Sequence, residues 1–344
     1  MMVAGFLAAR EPNLSQIGRA LVEMPGTLDE KVKRMSRFLC QSRWDAVEAF
    51  LDVAQGIVQS LAHAHPKRRI LVSLDWTDLG DYQGLWLSLP YQGRALPLGC
   101  VVLPKDAGED VMTDTELELL RGFFDRFDAE VRSGILILAD RGFAKAELFE
   151  AIEQAKATWA IRLPRNRQIQ LDGAYVELQD LGIAPGETRI LRDVVYLKGE
   201  PRKIHLAIRR LPEGQANDPD DDTWFLGTCV KDPHTALDDY ARRFLIEEMF
   251  RDLKMPLKMD RHHLGTDESV QKMMLIVALA YLILLEDGTQ WRSKVDLSRI
   301  MKSTARGRLS IFRIAELCFG YGLSPAPAEV DQILIRRWSN RRAA

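Results

Sequence analysis

A chain of 344 residues, 47% hydrophobic and 28% charged, has the composition of an ordinary globular protein with room for more than one domain. Its four cysteines, Cys40, Cys100, Cys229 and Cys318, form no CxxC pair and have no histidine at ligand spacing, which argues against a zinc site or a disulfide framework and for a reducing, cytoplasmic setting. A net charge of −2 gives no general pull toward nucleic acid, but the bases are clustered: Lys31, Lys33, Arg34, Arg37 and Arg43 run without an intervening acid, and from Trp291 onward there are eleven Lys/Arg against four Asp/Glu, while acids collect in DPDDD at 218–222.

In chain order, MMVAGFLAAREP lacks the basic flank and the length of a signal peptide. Thr27 followed by Glu30 makes a capping box for a helix over LDEKVKRMSRFL, and the helical region 1–66 runs out in HPKRR. RRILVSLDW, GLWLSLPY and ALPLGCVVLP then read as three strands, the last two joined at Gln92-Gly93-Arg94 as a tight hairpin. A helix is predicted over 113–131, a buried strand over GILILAD (134–140), a helix over 144–157 and a strand over 158–164. That order predicts an α/β fold, a mixed sheet flanked by helices, for 67–164.

From 165 to 230 the pattern changes to short β-like runs, AYVEL, TRILRDVVYL, KIHLAIRRL and TWFLGTCV, which reads as a β-rich insertion. Helical periodicity resumes over 231–290 and continues in a basic helical region, 291–344, with helices around Arg308–Phe319 and Ala328–Trp338. The apolar run from Met273 to Leu285 spans 13 residues, short of the roughly 20 a bilayer requires, and reads as a core helix.

The segment DDYARRFLIEEMFRDLK, 238–254, reads as one amphipathic helix. At about 100° per residue, with Tyr240 at zero, Arg243 falls at about −60°, Glu247 at about −20° and Lys254 at about −40°, whereas Glu248 at about +80° leaves the stripe. Such a stripe is also what a solvated face with i, i+4 ion pairs would give, Arg243 with Glu247 for example. Asp140 ends the apolar strand GILILAD and Asp75 lies within or near the end of ILVSLDW, with Asp78 and Asp81 as rivals; ligands of α/β sheets bind outside strand ends, though aspartates there also make turns and caps. Two strand-end acids and one helix-borne glutamate would suit a hard divalent cation.

The spacing Tyr240-x2-Arg243-x3-Glu247-x6-Lys254, together with Asp75-Trp76-Thr77 and Asp140-Arg141-Gly142-Phe143 in that order, resembles the three blocks of the bacterial insertion-sequence DDE transposases that carry the YREK signature. The resemblance covers roughly 70–290 and implies an RNase H-like catalytic core in two parts, 67–164 and 231–290, separated by the insertion 165–230. It further implies that Asp75, Asp140 and Glu247 are the catalytic residues and ligands of two Mg²⁺ or Mn²⁺ ions. The reaction would be cleavage at the ends of the element and strand transfer into target DNA. Tyr240, Arg243 and Lys254 would hold DNA phosphates, and Trp224 stands where some relatives have a tryptophan that stacks on a base extruded from a DNA hairpin, although a tryptophan in a strand is usually core. Arg162, Arg165 and Arg167 after a strand, and Lys33, Arg34 and Arg37 near the N-terminus, are candidate phosphate contacts, the last three for the terminal inverted repeats; each could equally be a solvated face. The partners so implied are double-stranded DNA and a second copy of the chain on paired ends, with no membrane. A catalytically decayed, DNA-binding relative and an RNase H-like nuclease without strand transfer are the alternatives. His262 and His263, just beyond the helix, could touch DNA or a metal but read rather as a polar loop.

Overall fold

The computed structural model describes residues 1–41, 43–171, 173–196, 201–215, 222–294 and 309–320. The expected helix around 328–338 and most of DPDDD lie outside them, as does much of the basic C-terminal region.

Four helices come first, α1 (Met2–Ala9), α2 (Leu14–Ala20), α3 (Leu28–Leu39) and α4 (Ala46–Ala64). The expected capping box opens α3, Thr27 Oγ1 accepting from the Glu30 amide while the Glu30 carboxylate accepts from the Thr27 amide. Strands β1 (Ile70–Leu79), β2 (Tyr82–Tyr91) and β3 (Arg94–Pro104) form an antiparallel meander. Gln92 and Gly93 both have positive φ, 46° and 79°, and Tyr91 pairs with Arg94, so the turn is a two-residue loop whose twist matches the strands.

The helix predicted over 113–131 is two helices, α5 (Glu109–Phe124) and α6 (Ala129–Ser133). Asp128 accounts for the break, since its side chain accepts from the Val131 amide and starts a new N-terminus. Then follow β4 (Ile135–Ala139), α7 (Ala146–Gln154) and β5 (Thr158–Arg162). The insertion contains β6 (Gln168–Leu171), which sequence reading missed, then β7 (Ala174–Glu177), β8 (Thr188–Tyr196), β9 (Arg202–Arg210) and β10 (Thr223–Thr228).

These strands form one ten-stranded mixed sheet in the order β3-β2-β1-β4-β5-β10-β9-β8-β6-β7. β4 lies parallel between β1 and β5, and β10 runs antiparallel to β5, so the β-rich segment continues the sheet. A mixed sheet flanked by helices, with 3-2-1-4-5 order in its first half, is consistent with an RNase H-like core.

Strand alternation assigns the two faces. Ile70, Val72 and Leu74 of β1, Ile135 and Ile137 of β4, and Trp159 and Ile161 of β5 point into one apolar layer with Leu51, Phe123 and Phe149 of α4, α5 and α7. The alternate residues Leu71, Leu136, Leu138, Ala160 and Leu226 point the other way, against α8 (Pro233–Tyr240). On that second side Trp86 packs with α9 (Leu245–Lys254), α10 (Asp267–Lys294) and the N-terminal helices. α10 is long and apolar enough to cross a membrane, but most of its apolar window is buried inside the protein, and α11 (Ile311–Gly320) packs on it through Phe312 against Tyr281.

Candidate active site

Register places the acids before any contact is considered. Leu74 of β1 is level with Ala139 of β4, and Ala139 with Ile161 of β5, so the next residues along the three strand paths are Asp75, Asp140 and Arg162. All three share the face of Leu138 and Ala160, the face that α8 covers. Arg162 pairs across to Leu226 of β10, and two residues away on the same face stands Trp224. Asp75 is not at the end of β1, which runs on to Leu79 in its hairpin with β2; it is at the point where the parallel partner stops.

The lid over this row is not the single helix predicted over 238–254. α8 ends at Tyr240, a 3-10 turn covers Ala241–Phe244, and α9 begins at Leu245. The physical reason lies in the turn itself. Tyr240 and Arg243 are both buried, and Phe244 packs on Trp224 and on the Arg243 guanidinium, which lies 4.8 Å from its ring centre. Tightening the backbone there turns Arg243 in toward the sheet while Ala241 and Arg242 stay exposed.

Arg243 forms the centre of the arrangement. Its Nη1 donates to Asp75 Oδ2 at 2.9 Å and its Nη2 to Glu247 Oε1 at 2.8 Å. The i, i+4 pair allowed for on a solvated helix face therefore exists, but its arginine is buried and also reaches a strand. Glu248 turns elsewhere, to Arg94 at 3.3 Å and Arg251 at 2.7 Å. Asp78 is exposed and paired with Lys105.

Burial pushes the Asp75 carboxyl up to about 6; Arg243 opposes this, while Asp140 and Glu247 add to it by like-charge repulsion. Burial also raises the Tyr240 hydroxyl, against the pull of Arg243. Burial works against the charge on Arg243, but Tyr240, Asp75, Asp140 and Glu247 together outweigh it and keep the guanidinium protonated. The Tyr240 hydroxyl and Arg243 Nε are buried and have no hydrogen-bond partner among the described residues. Asp75 Oδ1 accepts from the Trp76 amide and Asp140 Oδ1 from the Arg141 amide, which leaves one oxygen of each aspartate directed away from its own backbone.

Among the described residues no three acid, imidazole or thiol groups lie close enough together to hold one metal ion. The donor chemistry nonetheless fits a hard cation. Asp75 and Glu247 are joined through one guanidinium, which acts as the cation between them, and Asp140 stands level with Asp75 on the neighbouring strand; carboxylate oxygens are the donors that a hard cation takes.

The other sequence candidates are spread more widely. Lys254, half-buried, closes α9; Arg162 is buried and its Nη2 donates to the Thr223 carbonyl at 3.2 Å, and Arg165 is exposed beyond β5. Trp224 is half-buried, edge-on to Tyr240 at 5.5 Å and tilted on Phe244 at 5.7 Å. Lys33, Arg34 and Arg37 line the exposed side of α3, far from the acids in sequence; Lys33 pairs with Asp29 and Arg37 Nε donates to the Lys33 carbonyl. His262 is structural: Nδ1 accepts from the Leu264 amide, so Nε2 carries the proton and donates to the Leu79 carbonyl at 3.0 Å, while burial lowers its pKa. Sequence reading missed Phe244, whose position four residues after Tyr240 is the spacing at which aromatic side chains meet on a helix.

No curated protein matches the chain. A family model described as "Transposase DDE domain" matches residues 74–283, more than half of the chain, a span that takes in Asp75, Asp140 and the whole Tyr240–Lys254 segment. The chain belongs to the transposase DDE domain family, whose members act on DNA and generally use divalent metal ions.

Proposed function

We propose that the protein is an insertion-sequence transposase of the YREK type, cleaving DNA at the ends of its element and joining the freed 3′-hydroxyls to target DNA. The observation that carries the reading is the convergence of Asp75 and Glu247 on one guanidinium, with Asp140 level with Asp75 on the neighbouring strand. Asp75, Asp140 and Glu247 would hold two Mg²⁺ or Mn²⁺ ions, which when bound supply an activated oxygen nucleophile and a counter-charge for the leaving 3′ oxygen.

The chain's own residues do the positioning. Arg243 neutralises Asp75 and Glu247 with one N–H bond to each; were cations held there instead, its planar fork would suit a phosphate. The Tyr240 hydroxyl, buried beside Arg243, would reach a phosphate oxygen only if the aromatic packing over it opened. Lys254 supplies a point charge at the far end of α9, Arg162 a buried one at the end of β5, and Arg165 an exposed one just beyond it. Trp224, half-buried beside Tyr240, borders the site as an aromatic surface for an extruded base. The exposed bases Lys33, Arg34 and Arg37 on α3 would track terminal-repeat phosphates, with 1–66 as the DNA-binding region. Residues 67–164 and 231–290 would form the catalytic core, 165–230 the insertion and 291–344 a basic tail, and two copies would act on paired ends.

The test is incubation of wild type, Glu247→Gln and Glu248→Gln with DNA bearing the element's ends and Mg²⁺. Glu247→Gln is expected to lose cleavage by at least about a hundredfold while still binding ends. Glu248→Gln, which loses only ion pairs to Arg94 and Arg251, is expected to cleave. Cleavage by Glu247→Gln at the wild-type rate would remove the glutamate from the site.

A further inference from the structure

On the opposite face of the sheet from the acids lies a buried ionic cluster. Glu116, on α5, is 2% exposed. Its Oε1 accepts from the Trp76 indole Nε1 at 3.0 Å, and its Oε2 accepts from Lys145 Nζ at 2.7 Å, with Thr113 Oγ1 also 3.0 Å from that ammonium. The two partners are Asp75's immediate neighbour and a residue five positions after Asp140.

Both linkages to the aspartates are short and stiff. Trp76 donates its own amide to Asp75 Oδ1, so fixing the indole fixes the backbone from which that carboxylate hangs. Between Asp140 and Lys145 the chain is closed by three successive backbone bonds, Phe143 N to Asp140 O, Ala144 N to Arg141 O and Lys145 N to Phe143 O, with Phe143 and Ala144 buried. One carboxylate therefore ties strand β1 at Trp76 to the turn that follows β4, past the Leu74–Ala139 pair at which, among the described residues, the pairing of these two strands ends.

We infer that Glu116 is a positioning residue for the cation site: through Trp76 and Lys145 it fixes the separation of Asp75 and Asp140. An acid in the apolar layer of a helix is otherwise hard to account for, because Glu116 occupies the same stripe as Leu119, Leu120 and Phe123. Ligand-supporting groups of this kind typically change metal affinity by about 10–100-fold when removed. The inference rests on the carboxylate site proposed above.

The experiment is titration of the full chain with Mn²⁺ alone, read by electron paramagnetic resonance, alongside thermal melts. Glu116→Gln is expected to weaken Mn²⁺ binding by about tenfold or more. Glu116→Gln combined with Lys145→Gln, an uncharged pair that can still hydrogen bond, is expected to recover much of the loss. Trp76→Phe, which keeps an aromatic ring but loses the indole N–H and part of the packing, gives a milder variant, expected to lose affinity several-fold. Ile152→Val, a small cavity beneath α7, serves as a purely structural comparison, lowering the melting temperature without moving Mn²⁺ affinity. Wild-type Mn²⁺ affinity in Glu116→Gln and in Trp76→Phe would overturn the inference, as would a double variant that binds no better than Glu116→Gln alone. Asp75→Asn separates the two levels. Were it to bind Mn²⁺ as tightly as wild type, the cation site itself would be wrong; a weak Asp75→Asn beside a normal Glu116→Gln would remove the brace alone.

Discussion

At the scale of single residues, the side chain that decides most is Arg243. It is buried, charged and shared between a strand aspartate and a helix glutamate, a position in which leaving the carboxylates without a cation is costly. Arg243→Ala is expected to lower stability in metal-free buffer by roughly 2 kcal/mol, the scale of hydrogen bonds to charged groups, discounted because Glu247 is half exposed. Added Mg²⁺ should stabilise this variant more than wild type, since the cation replaces the missing counter-charge. Unfolding curves with and without Mg²⁺ check this, and an equal Mg²⁺ response in the two proteins would contradict it. Sequence reading found Arg243, because spacing along a chain reports which side chains share a stripe. It could not find the bond to Asp75, which is 168 positions away and depends on register. Nor did it find Glu116, although an acid among leucines was visible in TELELL.

At the scale of elements, α9 is held in place by a second buried charge. Asp252 Oδ2 accepts from Arg94 Nε at 2.6 Å, at the β2–β3 hairpin, and from the Tyr281 hydroxyl of α10 at 3.0 Å. Burial raises the Asp252 carboxyl to about 6 from 3.8; Arg94 and the Tyr281 hydrogen bond oppose the rise without cancelling it, and Glu248 adds to it. The native state then holds this proton more tightly than the unfolded chain. Its contribution to stability is complete below the unfolded value and is lost as pH rises through about 6. Between roughly pH 4 and 6, wild type should lose stability relative to Asp252→Asn, and the difference should level off above that window; denaturant melts across pH measure it, and parallel profiles would contradict it. Most strands were legible as short apolar runs that end at Gly, Pro or Asp turns, while the four-residue β6, which carries glutamine at two positions, was not. The helix over 238–254 was legible at its end but not in its start, which lies earlier at Pro233, nor in its break, which comes from the packing of Tyr240, Arg243 and Phe244 against Trp224 and the sheet and leaves no mark in the periodicity.

Across the whole molecule, the β-rich segment shares hydrogen bonds and apolar layers with the rest of the sheet. Leu226 of β10 lies in the layer beneath α8, and Ile204, Leu206 and Phe225 pack in the layer that holds Phe149. Composition alone marked 165–230 as different; it could not show that β10 would sit against β5 and complete the wall on which Tyr240 rests. Removing 165–230 would bare the β5 edge and strip α8 of its support, so the shortened chain is expected to lose cooperative unfolding, measurable by calorimetry. A shortened chain that melts cooperatively near the wild-type temperature would show that the sheet is divisible there. The most direct test of the site as a whole is diffraction from crystals soaked in Mn²⁺, collected for its anomalous signal. The expected peak lies within about 2.0–2.3 Å of carboxylate oxygens of Asp75 and Asp140, with Glu247 in reach and Arg243 turned away from Asp75. Saturating Mn²⁺ with no peak between these acids, and Arg243 still bridging Asp75 and Glu247, would contradict the account.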